Sequence, residues 1–173
     1  MIIKIIGAAL IVSSTTALGF IYSRADKYRL SELSELEKAI SVLKSHIGFA
    51  VMPLGEALFA TSMRVRPPAS DIFRDMGERI SRKEGQEIKD MWRSSVMENT
   101  RDTHLSDEDK EELCSLGLTL GYLDKGRQEK SIALFEEYIK EVKAELSGKS
   151  LINSKLYMSM GVLSGLIIAV ILL

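Results

Sequence analysis

The chain has 173 residues, 46% of them hydrophobic, and a formal net charge of −1 at pH 7. That length suits one ordinary domain, but of the 23 Lys and Arg residues only Lys4 lies outside Arg24–Lys155, while all 24 Asp and Glu lie inside it. The charged middle is mildly acidic, with no basic field to neutralise a phosphate backbone, which argues against a nucleic-acid partner; the apolar residues collect at the two ends.

The first element is Ile5–Tyr22, an uncharged run of 18 residues. As a helix it covers about 27 Å, close to the roughly 30 Å of a bilayer's hydrocarbon core. It reads as an N-terminal transmembrane helix within residues 1–23. A cleaved signal peptide is the rival reading, since Lys4, the apolar stretch and the small residues Ala17 and Gly19 fit one. Against it, Arg24, Lys27 and Arg29 follow at once, and positive charge there opposes translocation of what comes next. Leu156–Leu173 is a second uncharged run of the same length and reads as a C-terminal transmembrane helix over residues 156–173. Tyr22 and Tyr157 fall at the domain-facing edges, where an amphipathic ring suits the interface. Arg24, Lys27, Arg29 and Lys38 follow the first span, and Lys140, Lys143, Lys149 and Lys155 precede the second, against Lys4 alone on the other side. This asymmetry puts the stretch 24–155 in the cytoplasm of a two-pass protein of the cell membrane. Small residues recur four apart in both spans, as Ala9, Ser13 and Ala17 and as Gly161, Gly165 and Ala169. Each set shares one helix face and lets backbones approach, either between the two spans or with partners, a second copy of the chain among them.

Between the spans every strong periodicity is helical. Leu30, Leu33, Leu36, Ile40, Leu43 and Ile47 form one stripe, with Glu32, Glu35, Lys38 and Lys44 elsewhere on the surface, on a helix that can run straight out of the first span. Pro53 suits a helix start for a short helix bearing Leu54, Ala57 and Leu58, and Arg64–Pro68 interrupts the pattern. Stripes follow at Ile72, Phe73, Met76 and Ile80, then at Ile88, Met91, Trp92 and Val96. Ser106 is a helix cap, and the acids Asp107–Glu112 suit a solvated first turn facing the positive end of the dipole. That stripe continues through Leu113, Leu116 and Leu120. Asp124 caps a last helix carrying Ile132, Phe135, Ile139, Val142 and Leu146, which Gly148 interrupts before the membrane. The expectation is an all-α protein: a cytoplasmic bundle of roughly six helices flanked by one transmembrane helix at each terminus.

A search for chemistry finds little. His46 and His104 have no carboxylate or cysteine at metal-ligand spacing. Cys114 is alone in an apolar run and reads as a small buried hydrophobe. No serine has His and Asp in a recognisable arrangement. Gly117 and Gly121 lie within a helical pattern, without the Lys-Ser/Thr pair of a phosphate loop. Two glycines four apart each cost about 1 kcal/mol in a helix, so they point to a close helix crossing. Met52, Met63, Met76, Met91 and Met97 read as core filler. Catalytic, cofactor-binding and metal-binding residues are therefore expected to be none.

Three stretches together resemble the stage III sporulation protein AB family of endospore-forming bacteria. They are ELEKAISVLKSHI followed by PLGEAL within Glu35–Leu58, LSDEDKEELCSLGLTLGYLDKGRQEKSIALF over Leu105–Phe135, and the tail Lys155–Leu173, with LGLTLGYLDKGRQ at Leu116–Gln128 the specific part. Where that pattern carries an acidic residue before Ile47 and a tyrosine near Phe49, this chain has His46 and Phe49. The resemblance implies a non-enzymatic subunit of the sporulation channel linking mother cell and forespore, in the mother-cell membrane around the forespore. It implies a domain like the cytoplasmic domain of the inner-membrane platform protein of type II secretion and type IV pilus systems. Its partners would be a cytoplasmic secretion-type ATPase, stage III sporulation protein AA, and the other stage III channel proteins. A membrane-anchored helical adaptor or signalling protein outside any channel shares the same topology and is the alternative.

Overall fold

A computed structural model describes residues 2–48, 52–82, 85, 87–120 and 125–172. Among them the protein is all-α, with six helices: α1 (Ile2–Gly48), α2 (Leu54–Ser62), α3 (Ala69–Arg82), α4 (Ile88–Asn99), α5 (Asp107–Leu120) and α6 (Lys125–Leu172). Residues 31–143 form one compact unit, and residues 1–30 with 144–173 form a second.

The first unit is built on the apolar stripes. Leu33, Leu36, Ile40 and Leu43 of α1 are wholly buried, while Leu30 and Ile47 at the stripe's ends are half-buried. From the other helices come Ala57 and Leu58, Ile72, Phe73 and Met76, Met91, Trp92 and Val96, Leu113, Leu116 and Leu120, and Ile132, Phe135 and Ile139. Each large apolar side chain withdrawn from water stabilises by about 1.5–3 kcal/mol. The methionines divide: Met76 and Met91 are in the core, but Met63 is 70% exposed and is not filler. It sits just past α2, where the chain has already turned away from the core.

Two ion pairs set α1 against α6. Glu37 Oε2 meets Lys143 Nζ at 2.5 Å, and Glu136 Oε2 meets Lys44 Nζ at 3.0 Å. The partners are seven residues apart on each helix and count in opposite directions. The two helices are therefore antiparallel over this stretch, with charge pairs at heptad spacing beside the seam.

α2 and α3 form an antiparallel pair at a close approach. A Cβ at Gly55 would lie 3.2 Å from Ile80 Cγ2, and one at Gly77 would lie 3.2 Å from the Gly55 carbonyl oxygen and 3.3 Å from the Phe59 nitrogen. Pro53 stands at the N-cap of α2, φ −55° and ψ 142°, and its carbonyl accepts from the Ala57 N–H. After α2 the segment Met63–Pro68 leaves the helix, as the Arg64–Pro68 sequence implies, and the Pro67–Pro68 peptide is cis.

Two further sequence expectations fail. Gly148 does not interrupt the last helix, because α6 runs unbroken through it; a single helical glycine costs about 1 kcal/mol, too little to stop a long helix. The acids at the start of α5 are not all solvated, since Asp109 is only 1% exposed. Asp124, expected as the cap of α6, lies outside the described residues.

The second unit consists of the outer parts of α1 and α6. Among the described residues no helix is long and apolar enough to cross a membrane. The run Ile5–Tyr22 lies in α1 and the run Leu156–Leu173 lies, up to Leu172, in α6, mostly at positions whose side chains are outside the described residues.

The burial pattern ranks the forces. Ile40→Ala should lower stability by about 2–5 kcal/mol, whereas the half-exposed Lys44–Glu136 pair should contribute less than about 1 kcal/mol. Urea unfolding of Ile40→Ala, and a double-mutant cycle on the pair, measure both; a coupling energy above that of the core truncation would reverse the ranking.

Candidate functional site

Hydrogen-bonding chemistry inside the 31–143 unit is structural. Trp92 of α4 makes a T-shaped contact with Phe73 of α3, with centroids 5.5 Å apart and planes at 88°. Its indole N–H donates to the Leu113 carbonyl of α5 at 2.7 Å. Its inner atoms lie over Gly117: a Cβ there would be 2.5 Å from Trp92 Cδ1 and 2.9 Å from Trp92 Cβ. One indole thus joins three helices, and α5 carries no side chain where the ring lies. Gly121, four residues on, lies outside the described residues.

The same three helices are tied at their polar edges. Ser95 Oγ, buried, donates to the Ile72 carbonyl at 3.0 Å. Arg79 donates to Asp75 at 2.9 Å and Glu98 at 2.7 Å, and these carboxylates hold its guanidinium above the ordinary arginine value. Arg93 grips Glu111 through two bonds of 2.7 and 3.0 Å, which holds the Glu111 carboxyl below its usual range.

At the start of α5, Ser106 and Asp109 cap each other. The Asp109 N–H donates to Ser106 Oγ at 3.2 Å, and the Ser106 N–H donates to Asp109 Oδ2 at 2.8 Å. The other Asp109 oxygen accepts from Tyr138 Oη of α6 at 2.8 Å. The carboxylate that caps α5 therefore also docks α6.

Two further carboxylates reach from α1 to backbone. Glu35 Oε2 accepts from the Arg66 N–H at 2.9 Å, and Glu32 Oε2 from the His104 N–H at 2.9 Å. Glu32 Oε1 also lies 3.3 Å from His104 Nδ1. The connections before α3 and before α5 are thereby held against the first turns of α1 inside the unit. Neither role is visible in the periodicity of α1, where both residues are only polar positions outside the stripe.

Reactive chemistry has little to work with. Among the described residues no group of three or more His, Cys, Asp or Glu could hold a metal ion. Cys114 is free and buried, and burial pushes its thiol up, with Arg93 pulling the other way. His46 Nε2 is buried without a hydrogen-bond partner among the described residues.

The small residues of the end segments belong to the second unit. Ser13 and Ala17 of α1 are exposed, and Ser13 Oγ donates to the Leu10 carbonyl at 3.0 Å. Ala9 of α1 and Gly161, Gly165 and Ala169 of α6 have side-chain positions outside the described residues.

The sequence matches the stage III sporulation protein AB family over residues 4–173. The chain belongs to that family. It is 26% identical over 171 residues to stage III sporulation protein AB of Bacillus subtilis (strain 168), covering 99% of both chains. A solved structure of a stage III sporulation protein AB aligns with a TM-score of 0.65 at 22% identity, over 71% of this chain and 96% of that one. The likeness establishes the fold, and membership makes this a sporulation protein.

Three glycines separate crowding from propensity. Gly117→Ala should destabilise by about 1–3 kcal/mol because the indole is held on both sides and cannot retreat. Gly77→Ala should also destabilise, since backbone atoms stand in the way. Gly148→Ala, with nothing within 4 Å, should stabilise by up to about 1 kcal/mol. Thermal melts of the three variants give the signs, and a stabilised Gly117→Ala would refute the wedged position of Trp92.

Proposed function

We propose that this protein is a non-enzymatic membrane platform subunit of the sporulation channel linking mother cell and forespore. It is anchored by Ile5–Tyr22 and Leu156–Leu173, with the compact unit in the mother-cell cytoplasm, in the membrane around the forespore. The domain bounds are 1–23, 24–155 and 156–173. The unit couples a cytoplasmic secretion-type ATPase, stage III sporulation protein AA, to membrane components of the channel.

The observation that carries this reading is that several of the unit's polar side chains join one helix to another. Trp92, Asp109, Arg79 and Arg93 each tie one helix to another. Such a body suits a role in transmitting force or position between partners. Family membership supplies the sporulation context. Anchoring is supported by the two uncharged runs, each carried in unbroken helix, and orientation by the basic residues beside them. The exposed face of Ser13 and Ala17 suits packing against other membrane helices, and Gly161, Gly165 and Ala169 are spaced for the same use.

Topology is the deciding measurement. In a chain with Cys114 replaced, a cysteine at Ser81 should be shielded from a membrane-impermeant thiol reagent in intact cells, while one beside the C-terminus is labelled. Labelling at Ser81 would put the unit outside the cytoplasm and out of reach of any cytoplasmic ATPase. Gly161→Leu or Gly165→Leu should lower recovery of the channel complex with the melting temperature of the compact unit unchanged; full recovery would remove these glycines from assembly.

A further inference from the structure

Residues 1–30 and 144–173 fall into one compact unit, and α1 and α6 are each unbroken helix within it. Along α1, Leu10, Ser13, Ser14 and Ala17 are exposed, whereas Thr15 is half-buried. Ser13 and Ala17 stand two residues before and after Thr15, about 160° from it around the helix, so Thr15 lies on the covered face. Along α6, Leu163 and Ile167 are 57% and 60% exposed. They flank the Gly165 position in the same way, which sets it on the face opposite them.

The α1–α6 ion pairs select the same two positions. Glu37 stands against Lys143 and Lys44 against Glu136, one residue forward on α1 for each residue back on α6. Counting outward from Glu37–Lys143, twenty-two residues back along α1 is Thr15, and twenty-two residues forward along α6 is Gly165. Twenty-two helical residues make about six turns, so each position stays within about 40° of the face its ion pair occupies. Two unrelated features, ion-pair register and side-chain exposure, thus fall on Thr15 and Gly165. The same count sets Ala8 against Leu172 and Tyr22 against Met158, so the two uncharged runs match along nearly their whole length.

We infer that the two apolar runs of one chain pair with each other as an antiparallel hairpin in this register, Thr15 against Gly165, with the Ser13 and Ala17 face turned away from the pair. This rests on the anchoring proposed above and adds what each span meets first. A glycine opposite Thr15 lets the threonine side chain reach the α6 backbone, the close approach by which helices associate where lipid supplies no hydrophobic force. Spans joined in this way enter a membrane assembly as one body. The α1 surface left for other membrane helices is the outer one, bearing Leu10, Ser13 and Ala17.

The test is oxidative crosslinking of the full chain, extracted from membranes in detergent micelles, with Cys114→Ala throughout. Thr15→Cys is combined in turn with Gly161→Cys, Gly165→Cys and Ala169→Cys, and the disulfide within one chain is read by intact mass after maleimide labelling. The pair at Gly165 should close roughly fivefold more than either neighbour, because one helical turn of displacement carries the sulfurs out of bonding range. Val12→Cys with Ile168→Cys belongs to the same count and leaves Gly165 intact. It should close as well, so a folding defect of Gly165→Cys cannot hide the result. A maximum at Gly161 or Ala169 overturns the register. Disulfides formed only between chains overturn the hairpin and assign the Gly165 face to a second copy. Closure at neither in-register pair overturns the pairing. All three results leave the anchoring standing, whereas a chain that stays in solution without detergent overturns the anchoring and the hairpin with it.

Discussion

The antiparallel pairing of α1 with α6 is the constraint on which the rest of the compact unit depends. Glu37–Lys143 and Lys44–Glu136 fix the register at seven-residue intervals, and any slip of one helix turn would place each carboxylate beside the wrong partner. The pairs are half-exposed, and each stabilises little in water. Their value lies in specificity, as the buried stripe from Leu33 to Leu43 and the apolar face of α6 supply the free energy. Because the pairing is antiparallel, the first helix enters and the last helix leaves on one side, and the four short helices between must start and finish within that closed frame.

Within the frame, the helices are joined by a few side chains that each serve two elements. Trp92 is packed by Phe73, bonded to Leu113 and seated on Gly117, so α3, α4 and α5 share one indole. Asp109 caps α5 and receives the Tyr138 hydroxyl from α6. Glu32 and Glu35 bring α1 to the connections before α5 and α3. Removing one such group leaves donors or acceptors unsatisfied on two helices at once. An unpaired buried polar group costs about 1–3 kcal/mol, so loss at these points spreads beyond the element mutated. Helices linked in this way are held to one another at several points rather than at one.

What could be read from the chain, and what could not, follows from the range of the interactions. The stripes of α1, α3, α4, α5 and α6 are local periodicities, and Leu36, Phe73, Trp92, Leu116 and Ile139 are buried as the spacing implies. Ser106 as a cap is likewise local, decided within three residues. Asp109 was hidden among like neighbours: in a run of acids, nothing but its distance from Ser106 marks it out, and its bond to Tyr138 spans 29 positions. Gly55 and Gly77 could not be paired without knowing that α2 and α3 meet, because a lone helical glycine looks the same whether it faces backbone or water. Glu32 and Glu35 looked like ordinary surface charges for the same reason, since their partners are loop N–H groups 72 and 31 residues away.

The glycines show why residue type alone is a poor guide to a site. Gly148 and Gly117 both sit inside helices and both carry the same entropic penalty. Around Gly148 there is open space, and around Gly117 there is an indole at 2.5 Å from where a Cβ would stand. The first is a tolerated defect and the second is a fitted surface. A helix that accepts the penalty at Gly117 gains an approach that no alanine allows, and with it the hydrogen bond from Trp92 to Leu113 that a wider separation would break. The penalty therefore serves the joint between α4 and α5, and through Phe73 it reaches α3. The close contact of α4 with α5 thus depends on the absence of a single methyl group at Gly117.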